Sequence, residues 1–132
     1  VLHLPGHTLD HIAWYEPHHG WLFSGDVLFG LGCGRIFEGT LEQAHSSLHR
    51  IKQLPPQTKV FCTHEYTEKN LGFCKTFGLK VQKEYEQKIL RLRQNSLPTV
   101  PLLLSEELAS NPFLLTSELR AFGQLRQSRN IF

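Results

Sequence analysis

The first stretch of the chain reads as short strands joined by tight turns. Leu2 and Leu4 precede Pro5-Gly6, the segment His11–Glu16 carries Ile12, Trp14 and Tyr15, and Trp21–Ser24 follows a turn at Pro17–Gly20. Ile12–Tyr15 and Trp21–Phe23 are separated by five residues that include Pro and Gly, which predicts a hairpin with a longer loop. Gly30–Gly34 is a glycine-rich loop. Thr40 then starts a helix: Thr40-Leu-Glu-Gln43 is a capping box, and Leu41, Ala44, Leu48 and Ile51 recur at helical spacing until Pro55-Pro56. Lys59–Thr63 is a short buried strand running into His64.

Beyond His64 the pattern is helical to the end. Leu71, Cys74 and Phe77 form one stripe closed by Gly78, and Val81, Tyr85, Ile89 and Leu92 form a second. Pro98 and Pro101 interrupt the chain. A turn at Ser105–Ala109 and the string Asn111-Pro112-Phe113 follow, and a last helix carries Leu119, Phe122 and Leu125 into a basic tail. The expected organisation is a β-rich half over residues 1–64 and a helical half over 65–132.

Composition changes this picture little. Charged and apolar fractions of 20% and 40% are ordinary for a globular protein, and no apolar run approaches the roughly 20 residues that cross a bilayer. A net charge of +2 points to neither nucleic acid nor membrane. It is uneven: residues 1–64 hold four basic and five acidic side chains, while 65–132 hold ten and seven. A small anionic ligand near the second half and a solvated helical surface both fit that asymmetry. Cys33, Cys62 and Cys74 show no C-x-x-C spacing, which argues against a disulfide framework or a cysteine zinc knuckle and fits a reducing cytoplasmic setting, with Cys62 as core. The chain opens on Val1 inside an apolar run and contains no Met, so it is expected to be an excised portion of a longer chain.

His7, Asp26 and His64 each stand in a Gly- or Thr-containing turn at the end of an apolar strand. Strand ends can bring such residues together from distant sequence positions, and imidazoles with a carboxylate are a ligand set for zinc or iron. Each also has a plain reading as a turn residue. Spacing alone leaves both open.

The strings Pro5-Gly6-His7-Thr8-Leu9-Asp10-His11-Ile12, Phe23-Ser24-Gly25-Asp26-Val27-Leu28-Phe29 and Thr63-His64-Glu65-Tyr66-Thr67 together resemble hydrolases of the metallo-β-lactamase fold. Gly32-Cys33-Gly34-Arg35-Ile36-Phe37-Glu38-Gly39, Pro98-Thr99-Val100-Pro101 and Asn111-Pro112-Phe113 narrow the resemblance to hydroxyacylglutathione hydrolases (glyoxalase II). Persulfide dioxygenases share the first strings but differ in the glycine loop and lack the long helical tail.

The resemblance implies an α+β fold: the second half of an αβ/βα sandwich over 1–64, followed by a helical substrate-binding domain over 65–132. It implies two divalent metal ions, zinc or else iron or manganese, with His7 on one, His64 on the other and Asp26 bridging both. It further implies water activated between the metals for attack on S-D-lactoylglutathione, giving D-lactate and glutathione. Arg35, Phe37 and Tyr66 would bind substrate near the reacting centre, and Arg126 and Arg129 would bind it from the last helix. Arginine forks suit the two carboxylates of glutathione, although Arg126 and Arg129 read alone are a solubilising helix end.

The departure is an absence. The family's Thr-His-x-His-x-Asp-His motif, which supplies four ligands, is not in this sequence, and most of the first β-sheet is missing with it. Asp10-His11 aligns with a non-ligand stretch, and His11 is expected as a buried strand histidine. His18, His19, His45 and His49 are expected to face solvent. Three ligands of about seven remain, so the isolated chain is expected to be inactive. The rival reading is a non-catalytic fragment or pseudoenzyme whose helical half is a binding or folding module.

Overall fold

A computed structural model describes all of residues 1–132. Seven short strands and six helices follow one another as β1 (Leu2–His3), β2 (Ile12–Glu16), β3 (Trp21–Gly25), β4 (Leu28–Phe29), β5 (Gly32–Cys33), α1 (Leu41–Lys52), β6 (Lys59–Cys62), α2 (Thr67–Thr76), α3 (Lys83–Gln94), β7 (Leu102–Leu103), α4 (Leu104–Ser110), α5 (Pro112–Leu115) and α6 (Leu119–Ile131). The main sheet has the order β1-β2-β3-β6-β7, and β4-β5 is a separate small hairpin.

The sheet is mixed, and the parallel step matters for function. β1/β2, β2/β3 and β6/β7 are antiparallel, whereas β3 and β6 run parallel. A parallel pair needs a crossover connection, and α1 supplies its helix. Thr40 Oγ1 accepts from Gln43 N (3.2 Å) and Gln43 Oε1 accepts from Thr40 N (2.9 Å), so the expected capping box forms and satisfies two donors at the α1 terminus. Because β3 and β6 point the same way, the turns that follow them, Asp26 and His64, emerge at the same edge of the sheet.

Period-two alternation sorts the strands into a buried and an open face. Ala13, Leu22, Val60 and Leu102 join Leu48, Ile51, Ile89, Phe113 and Phe122 in one apolar core that draws on both halves of the chain. The opposite face shows Ile12, Trp14, Trp21 and Phe23 to solvent, Trp14 at 60% exposure, with Phe23 stacked on Phe61 at 5.0 Å. Trp14 pairs with Phe23, and Phe23 with Phe61, so these rings form one contiguous strip across three strands.

Four local expectations change. The helical half adds a strand: Leu102, almost fully buried, pairs with Val60. A two-residue strand is too short to show alternation in sequence. Ser105–Ala109, expected as a turn, lies within helix α4. Val81 precedes α3 rather than opening it. Cys62, expected as core, is only partly covered, and its Sγ stands 3.4 Å from the His64 carbonyl oxygen. Gly78 does end the α2 region with φ +64, a value that glycine adopts without the Cβ penalty.

Candidate active site

The three nominated ligands meet at the C-terminal edge of the parallel pair. Asp26 follows β3 through Gly25, whose φ of +55 and tight packing both require glycine, since a Cβ there would meet His11 Nε2 at 2.7 Å. His64 follows β6 through Thr63, whose N–H donates to the Gly25 carbonyl oxygen at 3.3 Å. His7 enters from the loop after β1. Gly6 lies so close to α1 that a Cβ would come within 2.7 Å of Ala44 Cα.

The carboxylate of Asp26 lies between the two imidazoles. Its Oδ2 is 3.9 Å from His7 Nε2 and its Oδ1 is 3.3 Å from His64 Nε2. Thr63 Oγ1 donates to Oδ1 at 2.8 Å. His7 Nδ1 donates to the Arg35 carbonyl oxygen at 2.8 Å. A carbonyl can only accept, so the proton sits on Nδ1 and the Nε2 lone pair faces Asp26 and the cavity.

His11 departs from the expected buried strand residue. It precedes β2, is only partly covered, and its Nε2 accepts the Asp26 backbone N–H at 3.1 Å. That acceptor role puts its proton on Nδ1, which is buried without a partner. Burial, and then the neighbouring His7, lower its pKa, in keeping with a neutral ring.

All eight nominated residues line one cavity of about 450 Å³. Phe37 is 67% exposed, with its ring 5.0 Å from that of His7. Tyr66 stacks on His64 at 4.9 Å and meets Phe29 edge-on at 5.0 Å. Arg129 donates from Nε to Asn70 Oδ1 at 2.8 Å, and burial followed by the nearby Arg126 and Arg35 lowers its pKa.

Arg126 is not the solvated helix end that its sequence context allows. It is 5% exposed, donates from Nη1 to the Cys33 carbonyl oxygen and from Nε to Asn130 Oδ1, and lies over the Phe113 ring. Sequence reasoning missed Lys69 in the same wall. Its spacing from Tyr66, three residues at the start of α2, was the available signal. With Arg35, Lys69, Arg126 and Arg129 against the single acid Asp26, the cavity is strongly cationic.

The donors fit a metal in kind and fall short in number. Each Asp26 oxygen faces a different imidazole, the geometry a bridging carboxylate needs, yet this gives only two side-chain donors per position. No group of three or more His, Cys, Asp or Glu side chains converges on one point. Catalytic zinc sites take three protein ligands plus water, so His7, Asp26 and His64 by themselves do not complete a catalytic metal position.

Residues 65–132 match the family model for the hydroxyacylglutathione hydrolase C-terminus, and residues 1–64 match that of the metallo-beta-lactamase superfamily. The hydroxyacylglutathione hydrolase of Bdellovibrio bacteriovorus is 51% identical over 98% of this chain and 56% of its own length. That of Methylococcus capsulatus is 43% identical over all of this chain and 58% of its own length. The chain therefore spans little more than half of these relatives. The crystal structure of the BLEG-1 B3 metallo-beta-lactamase superposes on 87% of this chain and 40% of its own with a TM-score of 0.57 at 25% identity.

Proposed function

Because this chain belongs to the hydroxyacylglutathione hydrolase family, with the α+β fold of metallo-beta-lactamases, we propose that it is the substrate-binding and partial metal-binding portion of a thioester hydrolase. Its substrates are S-(2-hydroxyacyl)glutathiones, with S-D-lactoylglutathione giving D-lactate and glutathione. The observation that carries the reading is that one cavity joins His7, Asp26 and His64 to the cations Arg35, Arg126 and Arg129.

Two divalent ions bound here would lower the pKa of water and act as Lewis acids toward the thioester carbonyl. His7 Nε2 and His64 Nε2 would each hold one ion and Asp26 both, while the Arg35 carbonyl and Thr63 hydroxyl keep these side chains aimed. In the overall reaction the water oxygen joins the acyl carbon, the C–S bond breaks, and the thiol leaves with a proton. Residues 1–64 supply the ligands together with Arg35 and Phe37, and 65–132 add Tyr66, Lys69, Arg126 and Arg129 to the substrate wall. Arg129 and Lys69 attract the glutathione carboxylates, Arg35 lines the same cavity, and Tyr66 and Phe37, which pack on His64 and His7, flank the acyl end. Three free cysteines suit a reducing compartment, the cytoplasm.

Two donors per metal position favour a chain that is non-catalytic by itself. The test compares hydrolysis by the 132-residue chain with hydrolysis by the same chain joined to the portion of the Bdellovibrio relative that it does not cover. Turnover only in the joined protein supports the reading. Comparable turnover by the chain alone refutes it.

A further inference from the structure

The glycine-rich hairpin β4-β5 is gripped through its backbone by side chains of the helical half. Asn70 Nδ2 donates to the Gly30 carbonyl oxygen at 2.8 Å, and Asn111 Nδ2 reaches those of Phe29 and Gly32 at 3.2 and 3.1 Å. The hairpin turns at Leu31, which has φ +55 although it is not glycine. An L-residue with a full side chain disfavours that conformation, and it persists only where the surroundings hold it.

Glu107 holds it. Its Oε2 accepts the Leu31 N–H at 2.9 Å across 76 positions of sequence, and also accepts from Asn111 Nδ2 at 2.8 Å, while its Oε1 accepts from the Tyr85 hydroxyl. The carboxyl is fully buried, a costly place for an acid unless its hydrogen bonds are made. None of the chemistry proposed for the cavity uses it.

The far side of the same hairpin is the cavity wall. Phe29 meets Tyr66, the Cys33 carbonyl receives Arg126, and Gly34 lies so close to the Asp26 carbonyl that a Cβ would stand 1.9 Å from it. A shift at Leu31 therefore moves the anchor of Arg126 and the seat of Asp26 together.

We propose that Glu107 is a positioning residue for the cavity, holding the Leu31 turn in the conformation from which the following residues Cys33 and Gly34 seat Arg126 and Asp26 in the cavity wall. This rests on the cavity being a glutathione thioester site.

The test uses the 132-residue chain, glutathione as calorimetric probe, and amide exchange read by NMR. Glu107→Leu keeps the volume and removes the acceptor. It is expected to raise the glutathione Kd about tenfold, the worth of a misplaced charged hydrogen bond, and to speed exchange at residues 29–35 while β2 and β3 stay protected. Glu107→Gln keeps an acceptor for Leu31 and is expected to restore both. Unchanged affinity in Glu107→Leu, with or without faster exchange, overturns the proposal, as does a Gln variant as impaired as the Leu variant. If the unmodified chain binds no glutathione, the cavity reading fails, and the exchange comparison alone decides whether Glu107 positions the hairpin. Should Glu107→Leu not fold, Glu107→Asp, which withdraws the carboxylate by one methylene, carries the same comparison.

Discussion

Arg126 on the last helix donates its guanidinium Nη1 to the carbonyl oxygen of Cys33, 93 positions earlier in the chain. The same nitrogen lies 3.5 Å from the Gly34 carbonyl oxygen. The end of α6 is thereby part of the wall that borders Asp26, so its two arginines differ in kind. Arg126 is structural as well as cationic, whereas Arg129 is tied to Asn70 by one hydrogen bond from Nε.

Arg126→Ala is accordingly expected to lower unfolding stability by about 3 kcal/mol, since it strands buried carbonyls and leaves a void under Phe113. Arg129→Ala should cost less than about 1 kcal/mol yet weaken glutathione binding roughly tenfold. Denaturant unfolding and calorimetry on both variants check the contrast. Equal stability losses would show that the burial of Arg126 has no energetic consequence.

Asp26 and the two histidines should separate by metal content in the protein joined to the remaining portion of its relative. Asp26→Ala is expected to deplete both metal positions. His7→Ala or His64→Ala should each deplete mainly one, because each imidazole faces a different carboxylate oxygen. Elemental analysis of the purified variants measures this. Wild-type metal content in Asp26→Ala would leave Asp26 a turn residue.

Gly34→Ala tests how tightly the hairpin seats that carboxylate. The added Cβ would lie 1.9 Å from the Asp26 carbonyl oxygen, so backbone must move, at an expected cost of about 2–4 kcal/mol. Thermal unfolding reads it directly. A neutral substitution would mean that the hairpin and the Asp26 turn are free to separate.

Glu107 gives a pH signature of known sign. Burial, only partly offset by its hydrogen bonds, pushes its carboxyl up to about 7 from an ordinary 4.5. Between those values the folded state keeps a proton that the unfolded chain has released, so rising pH favours unfolding. The contribution is fully present below pH 4.5 and declines up to about pH 7, by on the order of 3 kcal/mol. Glu107→Gln should remove it. Stability curves measured from pH 4.5 to 8 should converge at the acid end, with wild type falling below the variant at neutral pH, and parallel curves would contradict the buried-acid account.

The contrast between Arg126 and Thr40 shows what was readable in the sequence. Thr40 and Gln43 are three residues apart and satisfy each other locally, so the start of α1 could be placed from the string alone. His7, Asp26 and His64 were legible for a related reason: each sits at a strand end marked by Gly, Pro or Thr, and the motifs around them are distinctive. The burial of Arg126, the two-residue strand β7 and the grip of Glu107 on Leu31 depend on partners 42 to 93 positions away. No local pattern announces such partners. His11 is the intermediate case, where an apolar context suggested burial and the structure gives its ring a hydrogen-bonding task at Asp26.

The exposed strip of Trp14, Trp21 and Phe23 makes a spectroscopic prediction for the chain alone. Indole rings in water emit at long wavelength and are open to acrylamide. Joining the chain to the remaining portion of its relative should shift emission to the blue if that portion packs on this strip. Unchanged emission and quenching would place the added portion elsewhere.

The most direct measurement is hydrolysis of S-D-lactoylglutathione by the joined protein, followed through loss of the thioester absorbance, with and without a chelator and in the Asp26→Ala variant. Turnover is expected to stop with the chelator, to return with added zinc, and to fall by at least about 1,000-fold in Asp26→Ala. Turnover that survives both the chelator and Asp26→Ala, or a metal-loaded protein that cleaves no glutathione thioester, would contradict the proposed metal-dependent hydrolysis.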